Sequence, residues 1–101
     1  MDAISLAEKA DALYQNGKFD EALSFYGKAI ELDAKDATLC NRRGLTLCRL
    51  GRHEEAIVSF NAALRIDPHY TDAENNKGVV FYKQKRYAQA IEYFDAIITS
   101  G

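Results

Sequence analysis

KFDEALSFYGKAIELD, from Lys18 to Asp33, decides the fold, because the chain writes the same pattern three times. RHEEAIVSFNAALRID begins at Arg52 and RYAQAIEYFDAIITS at Arg86, so each copy starts 34 residues after the one before. The segments upstream fall into the same register: AEKADALYQNG, NRRGLTLCRLG and NNKGVVFYKQK. Small residues stand at Ala10, Gly44 and Gly78, and again at Ala22, Ala56 and Ala90. Large apolar residues stand at Leu13, Leu47 and Phe81, and at Tyr26, Phe60 and Phe94. A fixed period with matched small and large columns marks stacked units that bury a shared core.

Each unit reads as a pair of helices. Ile4, Leu6, Ala10, Leu13 and Tyr14 recur at helical spacing until Asn16-Gly17 breaks the run. The second helix is predicted over about 19–32, with Asp20 and Glu21 where the helix dipole favours acids. Repeat two offers Asp36 as an N-cap, helices over about 37–50 and 53–66, and Gly51 at the turn. Asp67-Pro68 ends it. Repeat three gives helices over about 71–84 and 87–99, with Lys85 in the column of Gly17 and Gly51. A left-handed turn there strains a residue that has a side chain. The expected organisation is one all-α domain over 1–101, with repeats at 3–36, 37–70 and 71–101.

These columns resemble the tetratricopeptide repeat, whose pattern is W-x2-L-G-x2-Y…A-x3-F…P at this period. Ala10/Gly44/Gly78, Leu13/Leu47/Phe81, Ala22/Ala56/Ala90 and Tyr26/Phe60/Phe94 carry the match, and Pro68 closes repeat two. The chain departs from the pattern in its Trp column, which holds Leu6, Cys40 and Glu74. Its Leu column holds Lys9, Arg43 and Lys77, and Ala34 replaces the first closing Pro. Long basic stems can cover apolar surface while the charge reaches water, so the Leu column remains compatible with packing. The resemblance implies a right-handed α-solenoid of three helix-turn-helix units, six helices in all. It implies a protein-interaction scaffold rather than an enzyme.

Composition supports that reading. With 13 Lys plus Arg, 15 Asp plus Glu and a formal charge of −2, the chain has no basic excess for nucleic acid. Its apolar runs, such as Val79-Val80-Phe81-Tyr82, are too short to span a membrane, and the start has no signal-peptide pattern. Cys40 and Cys48 lie about 12 Å apart along one helix, too far for a disulfide. A reducing, cytoplasmic setting is therefore expected. His53 and His69 stand apart from both cysteines, so neither a metal nor another cofactor is expected. No Ser-His-Asp set, phosphate loop, HExxH or CxxC is present in the sequence, which predicts no catalysis.

In such arrays the resemblance places binding on the concave face, lined by the first helix of each pair. The stripe read there runs through Ile4, Ala7, Asp11 and Tyr14 in repeat one. It continues through Thr38, Asn41, Leu45, Cys48 and Arg49, then Asp72, Asn75, Val79, Tyr82 and Lys83. Asn41 and Asn75 are expected to pair with a peptide backbone. Arg49, Arg52, Lys83, Lys85 and Arg86 gather at the ends of first helices, forming a rim that would attract an acidic partner segment. A well-known subclass of the family clamps a partner's terminal carboxylate with Lys, Asn and Arg. The matching positions here are Ala7, Asp11, Arg42, Asp72 and Asn76, so the resemblance implies that this clamp is missing. The alternative expectation is structural. Ile91, Phe94 and Ile98 repeat the stripe that Leu23, Tyr26 and Ile30 offer to the following unit. They would pair with a second copy, or with further repeats of a longer array.

Overall fold

A computed structural model describes residues 1–100, with Ser100 as helix backbone only; Gly101 of the third expected repeat lies outside them. Among the described residues six helices follow one another: α1 (Ala3–Gln15), α2 (Phe19–Leu32), α3 (Ala37–Arg49), α4 (His53–Ile66), α5 (Thr71–Lys83) and α6 (Tyr87–Ser100). The fold is all-α, as the period predicts. Each first helix packs on the second helix of its pair, and α2 and α4 each carry the next first helix. α3 also reaches past α4 to α5, so first helices lie side by side on one face.

Local chemistry sets the helix ends. Asp2 caps α1 by accepting a 2.8 Å bond from the Ser5 N–H. Asp36 caps α3 by accepting from the N–H groups of Thr38 and Leu39. At the first inner turn, Lys18 N donates to Leu13 O and Gly17 N to Tyr14 O, the Schellman arrangement. Arg52 and Gly51 repeat it after α3, and Arg86 and Lys85 after α5. Gly17 and Gly51 take φ 77° and 75°, and Lys85 takes φ 63° in the same place. The third turn therefore keeps its hydrogen bonds and accepts a strained lysine.

The small columns permit close contact. A Cβ on Gly44 would sit 2.8 Å from Phe60 Cζ, and one on Gly78 would sit 2.8 Å from Phe94 Cε1. Phe60 is completely buried as a result. This places Phe94 differently from its expected role in self-association: its ring turns toward α5 within its own pair. The basic column also packs. Lys9 lies over Phe25, Lys77 over Tyr93, and Arg43 donates to Ser59. Both cysteines are free, and burial pushes both thiols above the ordinary thiol range.

Two glycine substitutions separate packing from helix propensity. Gly44→Ala should lower stability by about 1–3 kcal/mol, because the new methyl meets a buried ring. Gly27→Ala should raise it by up to about 1 kcal/mol, since a Cβ in the middle of α2 would touch nothing within 4 Å. Urea unfolding of both variants checks the pair; shifts of the same sign would contradict this account.

Candidate functional groove

On the face shared by the first helices, a cavity of about 270 Å³ lies between α1 and α3, with α2 behind it. Asp11, Tyr14, Gln15, Tyr26, Arg42 and Leu45 line it. Asp11 is its electrostatic centre. One carboxylate oxygen accepts a 2.9 Å bond from Arg42 Nη1, and the other accepts from the Tyr26 hydroxyl. The ion pair is partly open, with 42% and 36% of the two side chains exposed. Tyr26 is buried behind it. Burial first, and the Asp11 hydrogen bond second, push its phenol far above the ordinary range.

The stripe continues along the groove with varied exposure. Leu45 and Cys48 are half-buried, while Asn75, Val79, Tyr82 and Lys83 are exposed. Edge-to-face pairs brace both ends: Tyr14 with Phe19 at 5.2 Å and Tyr82 with Tyr87 at 5.5 Å. Asn41 corrects the reading of an open amide. It is only 6% exposed, and its oxygen accepts a 2.9 Å bond from Asn76 Nδ2. Asn76 is thereby committed too, and Arg42 is held by Asp11. Ala7 is buried as well.

The basic edge is partly occupied from within. Arg52 pairs with Glu55, and Arg86 reaches Glu54 at 3.5 Å while lying over Phe81. Arg49 lies over Phe19 at 5.1 Å yet stays exposed, as do Lys83 and Lys85. Sequence reasoning missed the cross-repeat contacts Asp11–Arg42 and Asn41–Asn76. A signal existed for the packing of the basic column, because aromatic residues stand 16 residues after Lys9 and Lys77.

Residues 7–71 and residues 47–100 match tetratricopeptide repeat family models, and the chain belongs to that family. Its structure is similar to the TPR2B domain of yeast Sti1 in complex with pHsp70. Identity is 27%, the TM-score is 0.91, and the match covers 96% of this chain and 78% of that one. The Arabidopsis OM64 TPR domain is similar at 25% identity and TM-score 0.91, covering 96% of this chain and 80% of that one. The first TPR of Spaghetti (RPAP3), bound to the HSP90 peptide SRMEEVD, shares the fold at 24% identity and TM-score 0.91. That match covers 97% of this chain and 78% of the other. No curated protein matches the chain by sequence. Among the described residues, no helix is long and apolar enough to cross a membrane.

Alkaline titration tests the Asp11 centre. A phenol pKa raised in the folded state leaves stability intact below the unfolded value of 10.0 and removes it as pH rises beyond that. Of the six tyrosines, Tyr26 should ionise last and together with unfolding. Ultraviolet absorbance should show a late step that Tyr26→Phe removes; a single early step for all six would contradict the burial argument.

Proposed function

We propose that this chain is a non-catalytic protein-interaction module that holds a segment of a partner polypeptide in its concave groove. The carrying observation is the open cavity between α1 and α3, where Tyr14 and Leu45 flank the Asp11–Arg42 pair. Val79, 37% exposed, and Tyr82, 61% exposed, continue the apolar strip onto α5. Solvent-facing apolar groups beside oriented polar ones suit an extended or helical segment. The Sti1 and Spaghetti domains, solved with pHsp70 and with an HSP90 peptide, support this class of partner.

The clamp positions argue for a different mode of recognition. Arg42 already holds Asp11, Asn76 holds Asn41, and Asp72 and Ala7 offer a terminal carboxylate no cation. The reading is therefore an internal segment, gripped by Asn75 through its backbone and drawn by Arg49 and Lys83 through acidic side chains. Asn41 contributes from below by orienting Asn76.

Asn75→Ala combined with Val79→Glu alters only exposed side chains, so the melting temperature should hold. Affinity for a partner captured from native extract should fall at least about tenfold. Arg49→Glu with Lys83→Glu should slow association with an acidic segment and flatten its salt dependence. Affinity unmoved by both pairs of changes would place the binding surface elsewhere.

Self-assembly is the second reading, favoured by Ile91 and Ile98, which are 58% and 75% exposed. Their counterparts Leu23, Ile57, Ile30 and Leu64 are half-buried, with α3 and α5 stacked beside α2 and α4. An isologous contact between α6 helices would cover both isoleucines. Light scattering over a concentration series should show mass growth that Ile91→Glu with Ile98→Glu abolishes. A native chain that stays monomeric sinks this reading.

A further inference from the structure

Two of the three basic-column side chains hold an aromatic ring, and the third holds none. Lys9 Nζ lies 5.0 Å from the Phe25 centroid. Lys77 Nζ lies 4.4 Å from the Tyr93 centroid and donates to its hydroxyl at 2.5 Å. In repeat two the corresponding residues are Arg43 and Ser59, joined by a 2.9 Å hydrogen bond from Nε to Oγ. Where the outer repeats place a ring, the middle one places a hydroxymethyl group.

The surroundings repeat the subtraction. Gly27 of α2 stands in the column that holds Asn61 in α4, and no packing contact requires glycine there. A cavity of about 450 Å³ results, floored by Arg43 and Leu47 of α3. Leu23 and Gly27 of α2 form one wall, and Glu55, Val58 and Ser59 of α4 the other, with the Glu55 carboxylate held by Arg52. It opens between the second helices, away from the concave groove. Val58 is 62% exposed, although its column holds Ser24 and Glu92 in the other repeats. One repeat further on, the corresponding space contains Tyr93, its ring 5.4 Å from Phe81.

We propose that this convex socket receives a phenylalanine or tyrosine side chain from a partner protein. The incoming ring stacks on the Arg43 guanidinium and on Leu47, as Phe25 and Tyr93 lie against their own lysines. Arginine suits the role, since its planar group presents a face to a ring. The cavity lies within the size range of small ligand sites; Leu23, Leu47 and Val58 line it with one directed cation, and its two other polar groups, Glu55 and Ser59, are engaged by Arg52 and Arg43. This site is independent of the concave groove, and the ring that fits it is set by the chain's own two precedents.

The test titrates the ¹⁵N-labelled chain with capped Ala-Tyr-Ala and capped Ala-Leu-Ala, following the amides of Gly27, Arg43, Leu47 and Ser59. The tyrosine peptide should saturate these shifts at about three- to tenfold lower concentration than the leucine peptide. Ser59→Tyr supplies the ring from within and should remove the response. Arg43→Leu, which installs the residue of the family pattern in that column, should bring the tyrosine peptide down to the level of the leucine peptide. No shifts at these amides, equal shifts with both peptides, or a preference that survives Arg43→Leu would overturn the proposal. Shifts that appear on concentrating the protein alone would assign the socket to a second copy, and would overturn it equally.

Discussion

The structure depends on a ring of the second helix resting against the nearly bare backbone of the first. Phe60 on Gly44 and Phe94 on Gly78 make this contact, and Tyr26 shares a buried cluster with Ala10 in the first pair. Glycine inside a helix costs about 1 kcal/mol, while burying a large apolar side chain contributes about 1.5–3 kcal/mol. The exchange is favourable only while the helices stay close. Repetition of the contact at each pair keeps the helix crossings alike, and like crossings bring α1, α3 and α5 onto one face. The groove is a consequence of that packing.

Cations stand where the family pattern carries leucine, and the chain accommodates each in its own way. Lys9 and Lys77 lay their stems along the helix pair and their charges on Phe25 and Tyr93. Lys77 is only 7% exposed, so its hydroxyl partner on Tyr93 is needed to satisfy a nearly buried ammonium. Arg43 meets Ser59 instead. The repeats therefore share a backbone plan without sharing surface chemistry, and in the middle unit a cavity stands beside Arg43 where Tyr93 packs against Lys77 in the last.

Much of this was legible in the sequence. The period, the small and large columns, the Asp36 cap and the left-handed Lys85 follow from local rules, because each depends on neighbours within one helical turn or one pair. The contacts between repeats were not legible in the same way. Arg42 meets Asp11 across 31 residues and Asn76 meets Asn41 across 35, so neither partner stands at the repeat period. Those offsets arise from the rotation of one pair against the next. Periodicity assigns a residue to a helix face but does not say which side chain stands opposite. Periodicity places Asn41 in one column with Asn75, yet it is buried and its oxygen accepts from Asn76. Phe94 likewise lies on one stripe with Ile91 and Ile98 but turns toward Gly78, as Phe60 turns toward Gly44.

The Asp11 carboxylate couples the groove to the core. It holds Arg42 at the open surface and the Tyr26 hydroxyl behind it, so both oxygens are engaged by different layers of the structure. A partner carboxylate that reaches Arg42 must compete with Asp11 at close range, where two like charges repel. If it displaces Asp11, the buried phenol loses the acceptor that orients it. Leaving a buried hydroxyl unpaired costs about 1–3 kcal/mol, comparable to what a new surface ion pair returns or larger. Binding by direct substitution at Arg42 is therefore disfavoured. A partner that approaches Arg42 without evicting Asp11, through a neutral backbone carbonyl for example, meets no such opposition. On the proposed reading of the groove as a peptide site, the internal ion pair therefore opposes a lone terminal carboxylate at Arg42 and leaves the strip of Tyr14, Leu45, Val79 and Tyr82 open to an internal segment.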